Sequence, residues 1–175
     1  MTRGRAPTQG EFHAAISTYS GRWYGACLRI TRSRDLAEDA VQDALLAAWH
    51  KREQFNAEAR LDTWIHRIAV NSALGLLRRQ RPGLFGALDE DYEDDTPSPQ
   101  QHAENRDTED SLDRACRQLS EIERVCFMLK HVEEWRLKEI AEVLDTNINT
   151  VKQALFRALK KLRVAMSDLK GNQNE

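Results

Sequence analysis

Aromatic side chains are scarce in this chain. Phe, Trp and Tyr together make up 7% of its 175 residues, too few for one deep core. With 31% charged residues, the composition suits small, solvent-rich helical bundles instead. Proline and glycine are also few, four and eight, which leaves room for long regular helices. The three cysteines, Cys27, Cys116 and Cys126, form no close pair. An odd, scattered set argues against a disulfide framework and against a zinc ribbon. No run approaches the roughly 18 apolar residues of a membrane span, and the opening MTRGRAPTQGEF has no apolar segment of the secretory kind. The expectation is a soluble cytoplasmic protein in a reducing compartment, without membrane insertion. Period-two alternation and internal repeats are missing as well, which excludes an extended sheet or a solenoid.

A strong net charge of either sign is absent: the total is −2. A pI of about 6.2 argues against a histone-like coat on DNA and permits focused nucleic-acid contacts. The near-neutral total hides three blocks. Residues 1–82 hold 13 Lys/Arg against 8 Asp/Glu, residues 83–118 hold 3 against 11, and residues 119–175 hold 10 against 9. Separated charge blocks imply separated duties along the chain. Residues 11–82 are helix-patterned, residues 83–111 are acidic and poor in apolar side chains, and helical periodicity returns over 112–170. The expected architecture is therefore all-α. Two small helical domains, 1–82 and 112–175, are joined by a flexible acidic linker, 83–111.

In the first domain, DLAEDAVQDALLAAW gathers Leu36, Ala40, Val41, Ala44, Leu45, Ala48 and Trp49 on one helical side. Asp39, Gln42 and Asp43 gather on the opposite side, with Glu38 flanking. An acidic stripe of this kind is also what any solvated helix face looks like. In LDTWIHRIAVNSALGLLRRQR, the residues Ile65, Ile68, Ala69, Ser72 and Leu76 form an apolar or small face. Trp64, Arg67, Asn71 and Arg78 share a neighbouring stripe. An aromatic, guanidinium groups and an amide are the types that stack on bases, pair with phosphates and read base edges. A Trp there also serves as core, and a basic helix end also complements the macrodipole. Pro82 stops the helix.

In the second domain, Leu119, Ile122, Val125, Cys126, Leu129 and Val132 fall on one face, with Ser120 and Glu123 spaced as a capping box. Cys126 within that face reads as an inert buried thiol. Leu137, Ile140, Ala141 and Leu144 make a second short amphipathic helix, DTNIN breaks it, and Asn149 is the expected N-cap of the next. Val151, Leu155, Ala158 and Leu162 resume the period. Two such helices joined by a polar turn form a helix-turn-helix, whose second helix enters the major groove. Its outer side carries Lys152, Arg157, Lys160, Lys161 and Arg163 with no acid from Thr150 onward to Arg163. Gln153, Phe156 and Arg157 lie where base edges would be met, and Lys160 and Lys161 where phosphates would.

Together these motifs resemble RNA polymerase sigma factors of the extracytoplasmic-function group, in the sigma-70 family. DLAEDAVQDALLAAW, Phe55 and LDTWIHRIAVNSALGLLRRQR are similar to the family's second conserved region. The resemblance implies that Asp39, Gln42 and Asp43 dock on core RNA polymerase. It implies that the loop QFNAEAR, with Phe55, Asn56 and Arg60, captures an unstacked −10 base, and that Trp64, Arg67, Asn71 and Arg78 engage promoter DNA there. The chain departs from the pattern at Leu61, usually aromatic, and at Asp62, often Arg. The helix-turn-helix resembles the fourth conserved region, implying −35 contacts from Thr150, Lys152, Gln153, Phe156, Arg157, Lys160 and Lys161. It departs at Asn149, Gln153 and Ala154. The resemblance implies an anti-sigma factor as a further partner, and no cofactor or metal. For the acidic linker two readings stand: a passive spacer, or a nucleic-acid-like tether along a basic polymerase path.

Two other readings compete. A helix-turn-helix regulator without a polymerase role would explain the second domain but would not need DLAEDAVQD with TWIHRIAVN. A metal-dependent hydrolase using Glu38, Asp39, Asp43 and His50 lacks a compact ligand set, a phosphate loop and a nucleophile motif. His13, His50, His66, His102 and His131 are scattered and read as structural or solvated. The expectation is a protein that binds and does not catalyse.

Overall fold

The computed structural model describes residues 5–84 and 116–171, without the side chains of 166–171. No strand occurs among the described residues. The chain divides into two compact units, Met1–Pro82 and Gly83–Glu175. Of the expected linker only Gly83 and Leu84 are described; the rest of it, with His102, lies outside the described residues.

Unit 1 is a three-helix bundle. Helix α1 (Gln9–Thr31) opens on a capping box in which Thr8 Oγ1 accepts from the Glu11 N–H and the Glu11 carboxylate accepts from the Thr8 N–H at 2.7 Å. It ends at Arg32 in the left-handed conformation. Ser33 then caps α2 (Arg34–His50) by accepting from the Leu36 N–H. A single 3₁₀ turn, Arg52–Gln54, and an exposed loop lead to α3 (Leu61–Gln80). Each helix packs on the other two. Ala37, Ala40, Ala44, Ala48, Ala69 and Ala73 are buried, and these small residues allow close helix approach. Trp23, Ile30, Ile65, Val70 and Leu74 fill the remaining space. Each such side chain stabilises the bundle by about 1.5–3 kcal/mol through burial.

Two expected faces need correction. Trp49 was expected in the core of α2, but it is 36% exposed at the bundle end, edge-on to Phe12 with ring centroids 5.2 Å apart. In α3 the buried arc is centred further round than the periodicity indicated. It takes Asp62, His66, Val70, Ala73, Leu74 and Leu77 besides Ile65 and Ala69, leaving Ile68, Ser72 and Leu76 half-buried. The reason is that α3 lies against both α1 and α2, so two neighbours define its inner side.

In unit 2, Cys116 and Leu119 are buried in a core cluster with Ala158 and Leu162. Helix α4 (Glu121–Phe127) has the expected Ser120–Glu123 capping box. It continues into a π-helical turn, Met128–Val132, where the Glu133 N–H reaches the Met128 carbonyl at 3.0 Å. This wider turn rotates Val132 outward, so the residue expected at the end of the buried face is exposed. Helices α5 (Leu137–Val143) and α6 (Ile148–Gly171) form the helix-turn-helix. Asp145, at φ 53°, turns the chain between them. The cap of α6 is Asn147, whose Oδ1 accepts from the Thr150 N–H at 2.8 Å, and not Asn149. The helix starts one residue after Asn147, which puts Thr150 at its third position, where a cap side chain reaches. Ile140, Ala141, Leu144, Val151, Ala154, Leu155, Ala158 and Leu162 are buried. Cys126 is buried too; desolvation, then the neighbouring Glu123 charge, push its thiol up to about 12.

Candidate functional site

The acidic stripe of α2 is on the surface: Asp39, Gln42 and Asp43 are all exposed, opposite the alanine seam. The stripe continues into Leu46, 60% exposed, and the half-turned Trp49. Arg52 lies over the Trp49 ring at 4.4 Å. This apolar extension was missed in the sequence because period counting assigned Trp49 inward. His50 Nδ1 lies 2.7 Å from the Leu46 carbonyl. Among the described residues, no group of three or more His, Cys, Asp and Glu side chains could hold a metal ion.

The loop between α2 and α3 is built at both ends. At its start the half-buried Phe55 ring tilts against Trp64, with centroids 5.3 Å apart. Asn56 Oδ1 accepts from the Glu58 N–H at 3.3 Å, and Ala57 adopts φ 58°. At its end the Arg60 carbonyl accepts the first bond of α3, from the Trp64 N–H. The Arg60 guanidinium donates to Asp62 Oδ1 at 2.9 Å and to the Tyr19 hydroxyl at 2.8 Å. The hydrogen bond to Asp62, then its charge, raise the guanidinium pKa above its ordinary value. Arg60, expected to meet DNA, is thus engaged by its own domain. Asp62, where the family pattern often has Arg, is buried. Past the loop, Arg67, Asn71 and Arg78 are exposed on α3, with Trp64 half-buried beside them.

On α6 the outer face carries Lys152, Gln153, Phe156 and Lys160, all exposed, with Arg157 half-buried beside them. Phe156 is 70% exposed, a large ring held against solvent in the middle of a basic surface. Two expected contact residues are placed otherwise. Thr150 is buried, and its N–H donates to the capping Asn147. Lys161 bends to Glu123, with Nζ to Oε2 at 2.9 Å, tying α6 to α4. Glu123 is almost fully buried, so a cation beside it offsets its desolvation.

Comparison with known proteins bears on these surfaces. Residues 15–82 match the family model for sigma-70 region 2, and residues 109–162 match that for sigma-70 region 4. RNA polymerase sigma factor CarQ of Myxococcus xanthus is 30% identical, with 97% of each chain covered. The chain belongs to the sigma-70 family. Unit 1 is its region 2 and unit 2 carries its region 4. ECF RNA polymerase sigma factor SigG of Mycobacterium tuberculosis is 33% identical over 91% of this chain, which spans half the length of SigG. SigW of Bacillus subtilis, also an ECF sigma factor, is 25% identical, covering 92% of this chain and 91% of its own. These relatives place the chain in the extracytoplasmic-function group. The fold is shared with sigma factor RpoE of Bartonella quintana, in complex with anti-sigma factor NepR: TM-score 0.57, 22% identity, 90% of this chain and 97% of that one covered. Region 2 thus holds the α2 stripe and the α2–α3 loop, and region 4 holds the helix-turn-helix.

Proposed function

We propose that this chain binds core RNA polymerase and directs it to promoters, region 2 engaging the −10 element and region 4 the −35 element. One observation carries the reading. Region 2 presents an exposed stripe of Asp39, Gln42 and Asp43, which repels phosphate and suits a protein partner. The same chain presents basic, aromatic faces on α3 and α6, which suit nucleic acid. A regulator that only bound DNA would have no use for the first.

In this reading α2 docks on polymerase, with Leu46 and Trp49 as apolar support. The Phe55–Arg60 loop takes an unstacked −10 base while Trp64, Arg67, Asn71 and Arg78 line the adjoining strand. Capturing the base must offset a few kcal/mol of unstacking, and that binding energy is the whole mechanism: no bond is made or broken. On α6, Gln153 and Arg157 meet base edges, Phe156 meets an apolar base surface, and Lys152 and Lys160 meet phosphates. The anti-sigma factor seen with the Bartonella protein supports a similar restraining partner for this chain.

The test is transcription by purified core polymerase with and without the chain, on templates selected for activity. Promoter-specific transcripts are expected only with the chain present. Replacing Asp39 and Asp43 with Ala should weaken core binding at least tenfold, on the order of 1.4 kcal/mol, with helical content unchanged. Retained binding would remove α2 as the docking surface.

A further inference from the structure

Three side chains from three elements meet at the base of the α2–α3 loop: Tyr19 of α1, Arg60 of the loop and Asp62 of α3. We propose that they form a clamp fixing the base-capturing loop, with Asp62 the positioning residue that sets its base preference. The inference rests on the promoter reading above and goes beyond it. It assigns roles to Tyr19 and Asp62 and changes the role of Arg60.

Asp62 is held twice. Its carbonyl accepts from the indole Nε1 of Trp23 at 3.2 Å, and Trp23 is itself wholly buried. Its carboxylate is 9% exposed and meets Arg60 Nε at 2.9 Å. A carboxylate this far from water requires a cation with good geometry, so Asp62 holds Arg60 in place. The other end of that guanidinium donates to the Tyr19 hydroxyl, and its carbon lies 6.0 Å from the Tyr19 ring centre. The Arg60 side chain is 73% exposed, yet swinging its fork toward a phosphate would break the bond to Asp62 and leave that carboxylate buried and uncompensated.

The opposite end of the loop is held by Phe55 on Trp64. Between these anchors Asn56, Ala57, Glu58 and Ala59 are exposed, shaped by the Asn56 turn and the left-handed Ala57. A short segment closed at both ends presents its backbone donors and acceptors in one arrangement. Ligand binding then costs little additional ordering, and mismatched bases meet donors that cannot move to suit them. Asp62 therefore acts on base choice through Arg60 and the loop, without touching DNA.

The experiment uses the full chain bound to core polymerase. The probe is fluorescent single-stranded DNA, first randomised over a short window to select a preferred sequence, then the four single-base variants at the most selective position. Affinities are measured over a salt series for wild type, Asp62→Asn, Tyr19→Phe, Arg60→Gln and the Asp62→Asn/Arg60→Gln double variant. The clamp requires each single variant to reduce best-against-worst base discrimination on the order of fivefold, with the double no worse than the worse single. The slope of log affinity on log salt should stay unchanged. Should Arg60→Gln instead shallow that slope by about 0.7 with Asp62→Asn neutral, Arg60 is a phosphate contact and the clamp is wrong. Thermal unfolding of each variant runs alongside. Lower stability with intact base discrimination shows a merely structural cluster and also overturns the proposal. If Asp62→Asn fails to fold, Tyr19→Phe, which removes only a hydroxyl, decides the matter. Wild-type protein showing no base preference overturns the promoter reading and the clamp together; intact wild-type preference with indifferent variants overturns the clamp alone.

Discussion

Lys160 and Lys161 are adjacent in sequence and differ in surroundings. Both are exposed, but Lys161 reaches the buried Glu123 of α4 while Lys160 stands on the outer face. Lys161→Ala leaves a buried carboxylate without its cation. Discounted for the solvent exposure of the lysine, it should cost about 1–2 kcal/mol in denaturant unfolding of the full chain. Lys160→Ala should leave stability within about 0.5 kcal/mol. It should weaken upstream DNA of every sequence alike, with the salt slope shallower by about 0.9. Should the two lysines behave alike in either assay, the division between them fails. Cys126 offers a pH test. Its thiol is raised from its ordinary 9.0 to about 12 in the folded chain. Up to the unfolded value both states are protonated and nothing is lost. As pH rises beyond it the unfolded state releases the proton more readily, so stability falls from about pH 9 toward 12. Against Cys126→Ala the wild type should show the steeper decline over that range, and folded Cys126 should resist alkylation at neutral pH.

At the scale of the element, the turn of the helix-turn-helix shows what a cap does. Both Asn147 and Asn149 are exposed residues of the right type, and only Asn147 makes the capping bond. Asn147→Ala should cost about 1 kcal/mol of region 4 stability, and Asn149→Ala no more than a few tenths. Equal losses would place the cap elsewhere. The outer face of α6 should divide likewise. Arg157→Ala should lose about 1–3 kcal/mol on a cognate upstream element and relax preference there, while scrambled DNA loses less. Equal loss on both sequences would make Arg157 an anchor and move base reading to Gln153 or Phe156. The π turn in α4 matters for the same reason as the cap. One hydrogen bond reaching five residues back rotates Val132 away from the core on which Leu129 still packs.

At the scale of the whole molecule, each unit has its own core, of Trp23, Ile65 and Leu74 in one and Val125, Leu144 and Val151 in the other. Val151 is fully buried, so a charge placed there is desolvated. Val151→Asp should therefore unfold region 4, by about 3 kcal/mol or more. Region 2 should keep its helices, and binding to core polymerase through α2 should survive while upstream DNA binding is lost. Circular dichroism with a core-polymerase pull-down checks this. Loss of polymerase binding in that variant would mean that docking needs both units folded.

Helical class, the capping boxed start of α4 and the buried positions of α6 were legible in the amino-acid order, because each depends on residues within a turn or two of one another. Leu119, Ile122 and Val125, or Val151, Leu155 and Ala158, need only a helical period to share a face. The exposed stripe of Asp39, Gln42 and Asp43 was legible for the same reason, and the family motifs carried the rest of that reading. What only tertiary structure decided depends on neighbours distant in the chain. The inner arc of α3 is set by two helices at once, so counting from one face misplaced it. Trp49 lies where the bundle ends, which no period reveals. Arg60 and Lys161 look like free cations in sequence, and each is held by a buried carboxylate; for Lys161 that partner is 38 residues away. Asp62, a departure from the expected pattern, gains its meaning from Tyr19 and Trp23 on another helix. Local hydrogen bonds and periodicity are written along the chain, but which charges are desolvated, and so need a partner, is decided only when distant segments pack.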